Sequence, residues 1–127
     1  MIGIVCIDLR NGLSFNGRRT SRDRIVIEDI LSYTEKRTIW ALPYSIPLFP
    51  QGRVKEWNSD SKAEDDDYFF IELEMPDLSF DQLVVYRWDK RYPYDEKVDL
   101  SAYRFIVQKE LEGNSHEVIM REVYEHA

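Results

Sequence analysis

The chain has one cysteine, Cys6, among its 127 residues. One thiol forms no intrachain disulfide and excludes a cysteine-based zinc site, and it fits a reducing compartment. There is also no long apolar run. The N-terminal "MIGIVCID" is too short for a membrane span and has no basic segment before it, so it reads as neither anchor nor signal peptide. A cytoplasmic protein is therefore expected. An excess of basic residues is missing as well. Net charge is -7 and the sequence pI is about 4.8, which argues against non-specific nucleic-acid binding. An acidic surface serves solubility, meets a basic partner, or mimics a nucleic acid.

What is present is enough for one domain. Hydrophobic residues make up 43% of the chain, so a modest core can form without disulfides. "IGIVCID", Ile2 to Asp8, reads as a strand covered on both faces. "RNG" ends it, "LSF" continues extended chain, and a second "NG" turns again. From Ser21 the period changes. Val26, Ile27, Ile30, Leu31 and Thr34 share one face of a helix placed at about 21–35, with Thr20 and Asp23 as a capping box and Lys36 and Arg37 at its end.

"RTIWAL" reads as a short strand and "PYSIPLFP" as a proline-broken turn or short helix. Residues 51–67 are polar and end in "DSKAEDDD", which reads as a mobile acidic loop. "YFFIEL" and "LVVYRW" are strands, and "AYRFIVQKE" and "HEVIMREVYEH" form a closing hairpin around "LEGNS". The expectation is a single α/β domain over 1–127. It has one mixed sheet of about six strands, one main helix after the first strand, and a C-terminal β-hairpin.

The two ends together resemble dihydrofolate reductase. The residues that carry this are "IGIVCID…NGLSFNG…SRDRIVIEDIL…RTIW" and "LVVYRWDKRYPYDEKVDLSAYRFIVQKELEGNSHEVIMREVYEH", in two pieces covering about half of the chain. The resemblance implies that family's scaffold, and it matches only Asp23 to the substrate-contacting carboxylate. The Trp-x-Leu-Pro segment before the helix is missing, "ALPYSI" stands in place of the Gly-Arg-x-Thr cofactor motif, and the Gly-Gly turn is absent. At such a turn the backbone must approach the ligand closely, which glycine allows. A truncated reductase scaffold with no dinucleotide cofactor is expected, and no NADPH-dependent activity. The chain is also similar to a group of small bacterial proteins often labelled ribonuclease Z, through an "NG/NN-R-R-x-S-x-D-R" opening and a "G-x-S-H-E" ending. That metal-dependent chemistry needs clustered histidines and aspartates. With only His116 and His126 present, no metal site is expected.

Several residues carry possible chemistry. Arg18, Arg19, Arg22 and Arg24 surround a helix start, where N–H groups and the dipole favour an anion. Arg22 and Arg24 have nearby acids, Asp23 and Glu28, whereas Arg18 and Arg19 have no acid close in sequence; Arg18, Arg19 and Arg22 form the candidate anion site. Asp8 and Asp23 could meet at the carboxyl end of the sheet for acid–base work or to hold a magnesium ion, or could cap turns. His116 is a possible general base or a structural turn histidine, and no serine or cysteine stands at motif spacing to it. Cys6 reads as inert packing. Trp88, Tyr92 and Tyr94, among Arg87, Lys90 and Arg91, read as a base-stacking or protein-binding surface, or as packing on the sheet. The leading expectation is a binding protein for a protein partner or a small anionic ligand. The alternatives are an enzyme acting on a phosphate-containing or nucleotide substrate, and an acidic inhibitor that mimics nucleic acid.

Overall fold

The computed structural model describes residues 1–127. A seven-stranded sheet forms its centre. Strand β1 (Ile2–Ile7) pairs in parallel with β6 (Tyr68–Ile71) on one side and β7 (Gln82–Trp88) on the other. Beyond β6 lie β4 (Ile39–Ala41) and the edge strand β5 (Val54–Glu56), both parallel. Beyond β7 lie β10 (Val118–His126) and β9 (Tyr103–Glu112), paired antiparallel as the closing hairpin. The order is β5-β4-β6-β1-β7-β10-β9, a mixed sheet as the sequence implies, with one strand more than expected.

Residues 51–67 are not loop throughout. They contribute β5, whose "VKE" has no apolar periodicity and is held by pairing with Ile39–Ala41. The acidic run after it is tied down in part: Asp67 accepts from the Trp40 indole at 2.9 Å, and Asp66 pairs with Arg37. A second sheet of three short strands also goes beyond the expectation. It joins β3 (Arg18–Arg19), β2 (Gly12–Phe15) and β8 (Glu96–Lys97). Asn16 and Gly17, both at positive φ (51° and 69°), make the tight turn between β2 and β3 that an Asn-Gly pair favours.

The core has two sides because β1 alternates. Ile4 faces a cluster with Val26, Ile30, Ile39, Phe70, Tyr86 and Trp88, and Val5 and Ile7 face one with Phe69, Ile71, Leu83 and Val85. Helix α1 (Arg24–Thr34) covers the first cluster by burying Val26 and Ile30, each contributing about 1.5–3 kcal/mol. The helix is three residues shorter at its start than the periodicity implies. Asp23 is itself the N-cap and accepts from the Ile25 amide at 2.9 Å, so Thr20 has no capping-box role. At the other end Glu35 turns to φ 52°, leaving Lys36 and Arg37 outside the last turn. Residues 43–48 form a 3₁₀ helix, Pro43–Leu48, which faces α1 across the mouth of a cleft. No helix is long and apolar enough to cross a membrane.

Candidate functional site

The cleft lies between α1, the 3₁₀ helix and the carboxyl ends of β1, β6 and β7, with a volume of about 680 Å³. Small-molecule sites span roughly 300–1,000 Å³. Its apolar walls come from Val26, Ile27 and Leu31 of α1, Pro47 to Pro50 opposite, and Phe70 and Trp88 beneath. These are the residues that the helical period, the prolines and the strand ends place there.

One polar wall is self-contained. Arg19 donates to Glu72 through Nε at 2.7 Å and Nη2 at 3.0 Å, and the Ser45 hydroxyl donates to Glu72 at 2.7 Å. The Arg19 guanidinium is held above its usual range by that carboxylate. Arg19 therefore does have an acid partner, brought from 53 residues away by β6, and is not a free anion ligand. Arg18 is exposed and does not line the cleft. Arg24 pairs across a helix turn with Glu28 at 3.6 Å. Arg22 lines the cleft, and its guanidinium has neither ion pair nor hydrogen-bond acceptor.

Asp23 also lines the cleft, with the buried His116 packed against it. Both Asp23 oxygens are spent on donors. Besides Ile25, the carboxylate accepts from the successive amides of Asn114, Ser115 and His116 at 2.8–3.1 Å, and from the Ser115 hydroxyl at 3.1 Å. His116 Nδ1 lies 3.0 Å from Asp23 Oδ2. Burial alone would raise the Asp23 carboxyl, but the hydrogen bonds from His116, Asn114, Ile25 and Ser115 outweigh it and hold the group well below the usual carboxylate range. The hairpin loop can wrap so closely because residue 113 is glycine. A Cβ there would come within 2.3 Å of the His116 carbonyl oxygen.

On the far edge of the imidazole, Nε2 lies 2.9 Å from the Ser21 hydroxyl and 3.2 Å from the Tyr92 hydroxyl. Trp88 stacks on the ring at 4.5 Å with 23° between planes. Ser21 is the residue that sequence spacing misses. It stands 95 positions from His116, and only the fold joins the two stretches "RRTSRDR" and "GNSHE".

Other expectations resolve differently. Asp8 does not join Asp23. It is fully buried at the end of β1 and accepts from the amides of Arg10, Gly12 and Tyr92 at 2.8 Å, which makes it a turn cap. Trp88 is 1% exposed and packs under His116, so it offers no docking surface. Tyr92 is committed to His116, and Tyr94 packs on Gly12 with Arg10 over its ring at 5.2 Å. Cys6 lies on the cleft floor, where burial and then Glu72 push its thiol far up, so it stays protonated.

No protein-family model matches the chain, and no curated protein does. Among solved structures, a dihydrofolate reductase from Enterococcus faecalis, complexed with NADP(H) and RAB-propyl, matches with a TM-score of 0.64 at 12% identity. The match covers 98% of this chain and 95% of that one, so the likeness runs end to end and is not confined to two pieces. It shows a dihydrofolate reductase-like fold. Nothing in these comparisons supports the ribonuclease Z likeness.

Proposed function

We propose that the chain binds a small anionic ligand with an apolar body in the cleft beneath α1. The observation that carries this reading is the pairing of apolar walls with the unpartnered guanidinium of Arg22. The other charges at the cleft are already compensated: Arg19 by Glu72, Arg24 by Glu28, and Asp23 by its amides. An entering anion meets one free cation and the positive end of α1, while its apolar part displaces water from Val26, Leu31 and Phe49.

The reductase neighbour was solved with NADP(H). This chain lacks the Gly-Arg-x-Thr and Gly-Gly segments that the family resemblance implies for such a coenzyme, so the ligand class we favour is smaller. The probe is 8-anilinonaphthalene-1-sulfonate, an aromatic body with one sulfonate. Saturable fluorescence enhancement is expected, weakened about tenfold in Arg22→Ala, the loss of one charge-assisted contact of about 1.4 kcal/mol. Arg18→Ala, outside the cleft, is expected to bind as the parent does. Equal affinity in parent and Arg22→Ala would remove the reading. NADPH is expected to leave Tm unchanged in the same protein.

A further inference from the structure

Ser21, His116 and Asp23 stand in the order nucleophile, base and orienting carboxylate. The Ser21 hydroxyl is 2.9 Å from Nε2, and Nδ1 is 3.0 Å from Asp23. We propose that Ser21 is an activated nucleophile that attacks small carboxylic esters entering the cleft, with His116 as its general base. The proposal rests on the ligand-binding reading above, because the same cleft must admit the ester.

The geometry defines the proton positions. An ionised Asp23 only accepts, so Nδ1 carries a proton and Nε2 presents its lone pair to two hydroxyls, Ser21 at 2.9 Å and Tyr92 farther off at 3.2 Å. The ring cannot turn away. Trp88 stacks on its face, and its own backbone amide is held by Asp23 at 3.1 Å. Ser21 borders the cleft while the His116 side chain is 4% exposed, which leaves the Ser21 hydroxyl as the reachable atom of this pair. Cys6, the thiol on the cleft floor, is held protonated.

The reaction balances with water as the co-reactant. Ser21 Oγ bonds to the ester carbonyl carbon as its proton passes to Nε2. The C–O bond to the alcohol then breaks, and Nε2 returns the proton to the leaving oxygen. Water attacks the acyl-serine, gives a proton to Nε2, and leaves as the carboxylic acid while Ser21 Oγ recovers that proton. The substrate class is an ester with an apolar body and an anionic group for Arg22.

Diisopropyl fluorophosphate tests the nucleophile without needing the natural ester. Intact-mass and peptide mapping of the full chain should place one adduct on Ser21. Ser21→Ala, which leaves the Asp23–His116 contact whole, should show none. His116→Gln should label at least about 100-fold more slowly, the usual worth of a positioned base. Should that variant unfold, p-nitrophenyl acetate turnover in Ser21→Ala decides instead, and is expected to fall to the rate in buffer. An adduct elsewhere, equal labelling of Ser21→Ala, or no adduct overturns the proposal. Sulfonate-dye binding separates the two readings. If it persists and depends on Arg22, only the nucleophile falls; if it is also lost, the cleft reading falls too.

Discussion

Helix α1 and its N-cap each present a carboxylate to the rest of the fold, Asp29 and Asp23, and the two are satisfied in opposite ways. Asp29 meets the Arg121 guanidinium at 2.7 Å and the buried Tyr86 hydroxyl at 2.6 Å. Arg121 also lies over the Tyr33 ring at 4.4 Å. That junction sums to zero charge, and burial with Asp29 beside it pushes the Tyr86 hydroxyl far up, so it keeps its proton. Asp23, six residues earlier, has no permanent cation. Its charge is spread over backbone amides, a serine hydroxyl and an imidazole edge. The first arrangement has no proton to exchange. The second holds a histidine whose far nitrogen points at a serine beside an open cleft. The two carboxylates thus make a fixed clamp and a place where a proton can move.

The largest effect is expected at Asp23. Asp23→Ala strands four amides, the Ser115 hydroxyl and the imidazole at once, and should cost about 3–5 kcal/mol in urea unfolding, since each buried donor left unmet costs about 1–3 kcal/mol. Acid sharpens the point. The folded carboxyl lies below its unfolded value, so its contribution is present above about pH 4 and is lost as pH falls toward the folded value. Urea midpoints from pH 6 to pH 2 should fall in the parent below pH 4, and fall less steeply in Asp23→Asn. Parallel profiles would show that the amides, and not the charge, hold this junction.

Asp29→Ala should cost less, about 2–3 kcal/mol, for a stranded Arg121 and Tyr86 hydroxyl. Replacing Arg121 by Met in the same chain removes the stranded charge and should recover part of the loss. No second side-chain change can do that for Asp23→Ala, because its donors are mainly main-chain amides. If Asp29→Ala with Arg121→Met is no more stable than Asp29→Ala alone, the clamp is not an electrostatic pair.

The difference between the junctions also explains what the sequence could disclose. Strand β1, helix α1 and the closing hairpin are legible because each carries a local period, and Asp23 is recognisable at the change of period from strand to helix. Strand β5 is not, because "VKE" earns its place only through β4. Arg19 misleads for the same reason: its partner Glu72 is remote in sequence and adjacent in the sheet. Ser21 and His116 are equally remote, and no spacing rule reaches across 95 residues. Local chemistry such as the Asp8 turn cap is also easily mistaken for a site, since a buried carboxylate at a strand end has the same letters in either role.

The smallest effect belongs to the other acid of α1, Glu28, which faces Arg24 at 3.6 Å with both side chains more than half exposed. Water screens this pair, and two long side chains lose freedom to hold it, so Arg24→Ala should change unfolding free energy by no more than about 0.5 kcal/mol. Arg24 also donates to the Asn114 side chain at 3.2 Å, on the loop that wraps Asp23. That contact gives the measurement its use. If Arg24→Ala costs several times more than an exposed pair should, the loop at 113–116 is held partly from outside, and the Asp23 junction owes some of its rigidity to an arginine after all. A cost near zero leaves the amides and the glycine at 113 as what holds the loop against the helix.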